Sequence, residues 1–299
     1  MTPTQRILFI TATRIGDAVM TTGVLKALIE QYPAARFTIA CGPLAASLFA
    51  AVPRLDCVIV VRKRLADLHW WSLWREVRGT HWDLVVDLRR SLLAYTLRAD
   101  RRCVLGPADP SKPRVATLPS VIGIDQPLAP FVFTDERHAM AAAARIPDGA
   151  PVLALGPVAS LPEKTWAQQR FQTLVRLLTA PGAPCAGWRV AVFGGPGDEA
   201  GVADVLTAAP AGAGIAVVAE PDLLTVHAAL ARCRAFVGND SGLSHLAAAA
   251  GVPTLAVFGD TDPERYAPWG GQAVQGPGGD LQALTAETVA ARVIKLLAA

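Results

Sequence analysis

Residues 237–269 read VGNDSGLSHLAAAAGVPTLAVFGDTDPERYAPW, and this stretch decides the fold class. The apolar residues up to Gly238 predict a buried strand, and the run 243–250, rich in Ala and Leu, predicts a helix. The Gly-Val-Pro sequence at 251–253 ends that helix, and the run 254–258 predicts a second buried strand. Units of strand, helix and strand build parallel sheets, and ligands bind in the polar loops beyond the carboxyl ends of such strands.

The turn that begins this helix has the chemistry of an anion site. Asn239, Asp240 and Ser241 are all residue types that cap helices, and the first amides of a helix bind anions, phosphate above all. Gly242 permits close approach of the backbone, and His245 falls on the same face as Ser241, one turn later. Taken alone, these residues favour a plain helix cap with the histidine packed against the sheet, and only their context can overturn that interpretation. Both interpretations stay open at this point.

Length and composition favour a two-domain globular protein. The chain has 299 residues, of which 52% are hydrophobic and 18% charged, so a large core is available and disorder is not expected. The apolar run near the N-terminus is too short for a signal peptide, and no run reaches membrane-spanning length, so we expect a soluble protein. Five scattered cysteines without a C-x-x-C pair predict reduced, mostly buried thiols of a cytosolic protein: Cys41, Cys57, Cys103, Cys185 and Cys233.

The charges are unevenly distributed between the two halves. Residues 1–150 hold 19 Lys and Arg against 13 Asp and Glu, whereas residues 151–299 hold 9 against 12. No helix-turn-helix, zinc-finger or aromatic RNA-binding pattern accompanies the basic half, so a nucleic-acid partner is not expected. The excess favours an anionic substrate or an anionic membrane face, with a merely solvated surface as the plain alternative.

The first half begins with a strand over 6–11 and a helix from Asp17 to Tyr32, which Pro33 ends. The turn between them lacks the G-x-G-x-x-G pattern of dinucleotide-binding domains, which disfavours a nicotinamide enzyme. Asp17 has two interpretations. It caps the helix, where the dipole favours a carboxylate, or it accepts a proton from an alcohol nucleophile beside the ligand crevice.

Further strands are predicted near 37–40, 58–61, 84–87 and 104–106. Between them lies a segment, 62–102, that combines tryptophan with basic residues. Such a mixture suits sugar stacking with phosphate pairing, or attachment to lipid head groups, and equally a Trp-filled helix packed on the sheet. Its members are Arg62, Lys63, Arg64, Arg75, Arg78, Arg89, Arg90, Arg98, Arg101, Arg102, Trp70, Trp71, Trp74 and Trp82.

The second half repeats the alternation of strands and helices. A Pro- and Gly-containing linker at 147–151 places the domain boundary between 148 and 149, giving domains 1–148 and 149–299. Apolar runs at 152–155, 190–193, 215–218, 235–238 and 254–258 predict a doubly wound parallel sheet. Lys164, in the loop after the first of these strands, either neutralises a diphosphate or is an ordinary exposed lysine. The last helix, 285–297, is amphipathic, and we expect it to pack back across the domain junction.

Several motifs together resemble glycosyltransferase family 9, whose best-known members are the ADP-heptose:lipopolysaccharide heptosyltransferases. They span both halves in the family's order, and the C-terminal stretch is the most specific. The motifs are Ile15-Gly16-Asp17, Thr21-Thr22, Val24-Leu25-Lys26-Ala27-Leu28, Lys164-Thr165-Trp166, Asn239-Asp240-Ser241-Gly242-Leu243-Ser244-His245 and Phe258-Gly259-Asp260-Thr261-Asp262-Pro263.

The resemblance implies a GT-B fold, with two Rossmann-like domains facing a central cleft, the acceptor on the first and the nucleotide sugar on the second. It further implies an inverting transfer without a metal or another cofactor. Asp17 matches the family's general base, and Lys164 matches the lysine that faces the donor phosphates. The remaining donor-site residues implied are Ser160, a hydroxyl residue near that lysine, and the diphosphate loop Asp240, Ser241, Gly242 and His245.

The expected reaction moves a sugar, heptose from ADP-heptose, to a hydroxyl of the lipopolysaccharide inner core. The acceptor would be an anionic lipid-linked oligosaccharide, met in the cytoplasm at the inner face of the membrane. The sequence departs from the family pattern at Leu155-Gly156-Pro157, where relatives commonly have an Asn-Pro-Gly type turn, and at Ala159. Three alternatives therefore stay open: a hexosyltransferase, a sugar-nucleotide epimerase, and a noncatalytic nucleotide-sugar-binding protein.

Overall fold

The computed structural model describes residues 5–62, 68–107, 109–218, 220 and 222–298. The chain divides into two compact units, Met1–Phe133 and Thr134–Ala299. Two members of the Trp- and Arg-rich segment, Lys63 and Arg64, lie outside the described residues. In the part of the chain that is described, no helix is both long enough and apolar enough to cross a membrane.

The first unit is built on a five-stranded parallel sheet in the order β3-β2-β1-β4-β5. Its strands are β1 (Arg6–Ile10), β2 (Arg36–Cys41), β3 (Leu55–Val60), β4 (Trp82–Asp87) and β5 (Ala99–Val104). Its helices are α1 (Ile15–Gln31), α2 (Leu68–Val77), α3 (Leu93–Thr96) and α4 (Arg114–Thr117), with 3₁₀ turns at Pro43–Phe49 and Leu118–Ile122.

Burial explains which of these elements the sequence predicts well. The central strand β1 is covered on both faces, with Ile7 to Ile10 at most 1% exposed, so it reads as a continuous apolar run. Strand β5 lies at the sheet edge and carries Asp100, Arg101 and Arg102, all exposed. The sequence predicts this strand at 104–106, which is wrong because the strand ends at Val104. The reason is that charged edge strands lack the apolar pattern.

The second unit contains a six-stranded parallel sheet in the order β11-β10-β9-β6-β7-β8. Its strands are β6 (Val152–Gly156), β7 (Arg189–Phe193), β8 (Gly214–Val217), β9 (Ala235–Asn239), β10 (Thr254–Phe258) and β11 (Gln272–Gln275). Its helices are α5 (Glu136–Arg145), α6 (Gln168–Thr179), α7 (Glu199–Leu206), α8 (Leu223–Leu230), α9 (Gly242–Ala249), α10 (Pro263–Tyr266) and α11 (Ala286–Ala298). Short 3₁₀ turns occur at Pro162–Lys164, Pro277–Gly279 and Leu281–Ala283.

Both ends of this unit refine the predicted domain limits. Helix α5 packs against α8, so the unit begins at Thr134, before the Pro- and Gly-containing linker that we used to place the boundary at 148/149. Helix α11 packs against α6, β10 and β11 and belongs to the same unit. Packing of α11 back on the first domain stays a prediction.

The five cysteines are free thiols, as the sequence predicts. Cys41, Cys103, Cys185 and Cys233 are buried, and Cys57 is exposed. Burial raises the pKa of Cys41 and Cys233 to about 12 and that of Cys185 to about 11, which keeps these three thiols protonated and unreactive at neutral pH.

Candidate functional site

The two sheets share one topology. Counted from the first strand of each unit, the order is 3-2-1-4-5 in the first and 3-2-1-4-5-6 in the second. From the first strand, the chain continues to the second and third strands on one side of the sheet. The fourth and later strands lie on the other side of the first strand. Ligands of open parallel sheets bind in the crevice that forms at this point, beyond the carboxyl ends of the two strands. In the second unit the crevice lies between the loops after β6 and β9.

An ion pair joins these two loops. Lys164, at the end of the 3₁₀ turn after β6, places its Nζ 2.5 Å from Oδ2 of Asp240, the first residue after β9. The Lys164 side chain is 26% exposed and that of Asp240 is 9% exposed, so Lys164 is not an ordinary surface lysine. An ammonium group has three hydrogen-bond donors, and a bond to Asp240 leaves two of them for an anionic ligand.

A second, buried bond fixes the loop that carries Lys164. The backbone N–H of Trp166 donates to Oδ1 of Asn239 at 3.0 Å, and the indole Nε1 donates to the Leu284 carbonyl, also at 3.0 Å. Trp166 and Asn239 are both fully buried. Asn239 is therefore the last residue of β9 and a link between loops, rather than one of the helix caps with which the sequence grouped it.

Ser241 stands at the start of α9 without capping it. Its backbone has the extended conformation of a cap residue, with φ −148° and ψ 171°, yet no side-chain cap hydrogen bond forms. Its Oγ is buried and has no hydrogen-bond partner among the described residues, as is also true of Nδ2 of Asn239. Buried polar atoms without partners are rare and require a ligand, a water or strain to explain them. The plain helix-cap interpretation of Ser241 therefore does not account for its hydroxyl.

The other predicted donor-site residues, Gly242, His245 and Ser160, differ in how far they are exposed to solvent. Gly242 is the first residue of α9, and its helix is held on β9 by Ser244, whose Oγ donates to the Asn239 carbonyl at 2.6 Å. His245 is only 7% exposed on the same helix. Ser160 is exposed in the loop after β6. The structure brings Lys164 and Asp240 together, whereas the phosphate roles of Ser160, Gly242 and His245 stay predictions.

The departure from the family pattern at Gly156 has a packing cause. Gly156 ends β6 and pairs with Gly238 of β9. A Cβ atom at Gly156 would lie 2.7 Å from the Phe236 ring, and one at Gly238 would lie equally close to the same ring. The fully buried Phe236 therefore takes the space that a side chain at position 156 would need.

The first unit holds a cavity of about 310 Å³ at its own crevice, between the loops after β1 and β4. Asp17 lines this cavity from the first turn of α1. The cap residue of α1 is Arg14, and no side-chain cap hydrogen bond forms there; Asp17 stands in the first turn, where the helix dipole favours its carboxylate, and it makes no capping hydrogen bond. The lining residues are Ala12, Thr13, Arg14, Asp17, Met20, Thr21, Leu88, Arg89, Arg90, Arg114 and Leu118.

The cavity is strongly basic. Four of its lining residues are arginines, against the single carboxylate of Asp17: Arg14, Arg89, Arg90 and Arg114. Guanidinium groups bind carboxylates and phosphates through paired N–H donors, and a concave site lined by one sign of charge concentrates ligands of the other. The arginines of this crevice therefore suit an anionic ligand, which would bind beside the carboxylate of Asp17.

Asp87, which the sequence did not single out, organises the loop that bears two of these arginines. It ends β4, is fully buried, and accepts hydrogen bonds from the backbone N–H of Arg89 at 2.7 Å and of Ser91 at 2.8 Å, and from the Ser91 hydroxyl at 2.5 Å. Burial raises its pKa, and the bonds from Ser91 and Arg89 oppose that rise. Between them, Arg90 takes a left-handed backbone with φ 56°. The available signal was a carboxylate at a strand end, separated by one leucine from two arginines.

Two doubly wound units, each with a polar crevice at its switch point, define an α/β protein of the GT-B class. The family model of glycosyltransferase family 9 (heptosyltransferase) matches residues 112–287. The chain belongs to glycosyltransferase family 9. The resemblance stated from the sequence motifs is thereby confirmed.

Individual relatives agree with this assignment. The chain is 31% identical over 122 residues to lipooligosaccharide heptosyltransferase 2 of Haemophilus influenzae, a match that covers 40% of this chain and 34% of that relative. The chain thus spans about a third of the length of this curated relative. It resembles the structure of E. coli ADP-heptose lps heptosyltransferase II, with a TM-score of 0.78, 20% identity and coverage of 98% and 99% of the two chains.

The family 9 glycosyl transferase from Veillonella parvula gives a TM-score of 0.80 at 20% identity, with coverage of 100% of this chain and 99% of that one. At this level of identity the structural likeness shows the fold. It covers both units, and it confirms the predicted class of two Rossmann-like parallel-sheet domains. That the domains face a central cleft, and that Asp17 and Lys164 are catalytic, stay predictions.

Proposed function

We propose that this protein is an inverting, metal-independent glycosyltransferase that moves heptose from ADP-heptose to a hydroxyl of the lipopolysaccharide inner core. The observation that carries the proposal is the ion pair of Lys164 and Asp240 beside the unpartnered Ser241 hydroxyl, at the switch point of the second unit. Family membership supports glycosyl transfer, and the names of the similar proteins support heptose, ADP and lipopolysaccharide.

In this proposal the second unit stabilises the leaving diphosphate. As the bond between the anomeric carbon and the diphosphate breaks, negative charge grows on the departing oxygen. The free amides at the start of α9, the Ser241 hydroxyl and the two remaining donors of Lys164 are suited to that charge. One well-aimed donor lowers the barrier by roughly 2.7 to 4 kcal/mol. Ser160 and His245 would complete the donor site.

The first unit would supply the base. Asp17 lines the basic cavity and makes no capping hydrogen bond, so its carboxylate is available to take the proton of the acceptor hydroxyl as that oxygen attacks the anomeric carbon. Attack opposite the leaving group inverts the configuration of the sugar. The proposal routes no step through a metal ion or another cofactor.

The acceptor would be an anionic lipid-linked oligosaccharide. The arginines around Asp17 suit its carboxylate or phosphate groups, and a nucleic acid is not part of the proposal. Such an acceptor places the protein in the cytoplasm, in peripheral contact with the inner face of the membrane.

The test is a transfer assay with lipopolysaccharide that lacks heptose as acceptor and ADP-heptose as donor, with UDP- and GDP-sugars in parallel. We expect a heptosylated product by mass spectrometry from ADP-heptose alone. Asp17→Asn should lower the transfer rate by about two orders of magnitude or more. Glu30→Gln is the matched control, because Glu30 is exposed at the far end of the same helix, where it pairs with Lys26.

Each alternative gives a different result. Transfer from a UDP- or GDP-sugar would identify a hexosyltransferase, and conversion of a donor sugar without an acceptor would identify an epimerase. Donor binding without turnover on any acceptor would mean a noncatalytic protein. Full activity of the Asp17→Asn variant would remove Asp17 as the base.

A further inference from the structure

An open apolar groove lies on the first unit, outside the Asp17 cavity. Its volume is about 460 Å³, and it is formed by one face of α2 together with the residues around the start of α3. Five of its six lining residues are aromatic or aliphatic: Trp70, Trp71, Trp74, Leu92 and Leu93, with Thr96 as the sixth.

The groove is exposed in a way that core packing does not explain. Trp71 is 56% exposed and Leu92 is 81% exposed, and the neighbouring Tyr95 is 64% exposed. Trp82 shows the contrast, because it is 4% exposed in β4 and its Nε1 donates to the Val77 carbonyl. A contiguous apolar surface of this kind marks an interaction site. The sequence left open that these tryptophans belong to a helix packed on the sheet. That interpretation holds only in part, for Trp70 and Trp74, which are partly buried against the core.

Arginines stack on all three tryptophans of the groove. The guanidinium carbon of Arg75 lies 4.9 Å from the Trp71 ring centre, and that of Arg78 lies 4.8 Å from the centre of Trp74. Arg89 lies 5.6 Å from the centre of Trp70. A guanidinium that lies over an aromatic ring still has N–H donors with which it can bind phosphate. Helix α2 carries one carboxylate, Glu76, against this positive rim.

Arg89 connects the groove to the basic cavity. It lines the cavity that contains Asp17, and it stacks on Trp70, which lines the groove. A molecule with an anionic polar head and an apolar anchor would therefore find matching chemistry along one continuous surface. The groove itself offers few polar groups, which disfavours a sugar ring as its occupant because sugars need several hydrogen-bond partners.

We propose that the side chains that line this groove, those of Trp70, Trp71, Trp74 and Leu92, insert into the headgroup region of an anionic phospholipid bilayer. The inference rests on the proposed function, since it would deliver the first unit to the surface that holds a lipid-linked acceptor. Tryptophan and leucine enter the boundary between headgroups and acyl chains, and the stacked arginines bind the lipid phosphates.

The experiment measures partition of the whole protein onto vesicles by flotation. The vesicles consist of phosphatidylcholine alone or of phosphatidylcholine mixed with phosphatidylglycerol. We expect binding to the mixed vesicles that weakens as salt is raised. The variant Trp71→Ser/Leu92→Ser and the variant Arg75→Gln/Arg78→Gln should each lower the partition coefficient on mixed vesicles about tenfold or more. Met140→Ser is the matched control, because Met140 is 62% exposed on α5 of the second unit.

An activity arm separates this inference from the proposed function. The Trp71→Ser/Leu92→Ser variant should keep its affinity for ADP and its transfer to a delipidated acceptor, and should lose transfer to an acceptor embedded in vesicles. Circular dichroism confirms that the variant is folded. Wild-type partition by both groove variants, or no binding of the wild type to mixed vesicles, overturns the inference. Lost transfer to the delipidated acceptor with unchanged partition would assign the groove to the saccharide. Vesicle binding without any transfer would refute the proposed function alone.

Discussion

A double-mutant cycle on Lys164 and Asp240 distinguishes two ways in which this lysine could support binding of a diphosphate. In the first, its ammonium contacts the phosphates directly. In the second, it only neutralises Asp240, which would otherwise repel them. The two side chains are joined at 2.5 Å, so neither single variant can separate these effects. The cycle consists of Lys164→Met, Asp240→Asn and the double variant.

The structure sets the expected magnitudes. A hydrogen bond to a charged group is worth about 1.5 to 3 kcal/mol, so the loss of one contact between lysine and phosphate weakens ADP binding about 10- to 160-fold. Lys164→Met also leaves Asp240, which is only 9% exposed, without its cation. Two like charges about 6 Å apart repel by about 3 kcal/mol at an effective dielectric constant of about 20, and water at this partly open site reduces that value. The single variant should therefore bind more weakly than the double variant.

Calorimetric titration with ADP is the assay. We expect Lys164→Met to bind at least about 100-fold more weakly than wild type, and the double variant to recover about tenfold of that loss. Lys295→Met is the matched control, because it removes the same charge from an exposed position on α11 of the same unit. Wild-type affinity in the double variant would refute a phosphate contact by Lys164. Unchanged affinity in Lys164→Met would refute any role of the pair in donor binding.

Three further predictions concern single residues. Ser241→Ala should not lower the unfolding midpoint, because the hydroxyl makes no cap bond, yet should weaken ADP binding about 10- to 160-fold through loss of a hydrogen bond to a charged phosphate; a lower midpoint with unchanged affinity would restore the cap interpretation. Gly156→Asn should destabilise the protein by about 1 to 3 kcal/mol in thermal unfolding, since its Cβ would meet the Phe236 ring, and Phe236→Leu in the same chain should recover part of that loss. Burial raises the pKa of Asp87 above its ordinary value of 3.8, so its contribution to stability is complete below that pH and is lost as pH rises through the folded pKa. Asp87→Asn should remove this fall from a plot of unfolding midpoint against pH, and an identical pH profile in the variant would contradict the assignment.

The sequence predicts the fully buried strands, but of the four edge strands it predicts only β3 and β8, misplaces β5 and misses β11. Strands β6, β9 and β10 are buried along their whole length, so they read as unbroken apolar runs between turn residues. Strand β11 reads Gln-Ala-Val-Gln with exposed ends, and β5 carries three charged residues. An edge strand is paired on one side only and needs no apolar pattern, so β11 was not predicted and β5 was misplaced.

The candidate site was predictable in its residues and not in its contacts. Lys164 and Asp240 each follow a predicted strand, and the family motifs single out both, but nothing in the sequence shows that Nζ and Oδ2 meet. Asp87 was missed because a carboxylate at a strand end has the same sequence signal whether it faces water or its own loop. Its three hydrogen bonds depend on the left-handed turn at Arg90, which the residue type does not predict.

The fourth strands of the two units, β4 and β9, hold loops with basic side chains in place in the same way. The fourth strand of each sheet ends in a fully buried polar residue, Asp87 in the first unit and Asn239 in the second, and each accepts a backbone N–H from a loop that carries at least one basic side chain. An anion site must hold its cations in place while no anion is bound, although the cations repel one another and favour water. Hydrogen bonds from loop backbone to a buried acceptor fix the loop without using the charged groups themselves. In the second unit Asp240 adds a counter-charge for Lys164, and an arriving diphosphate can share that lysine through its two remaining donors. We therefore expect ligand binding at both crevices to require little rearrangement of these loops.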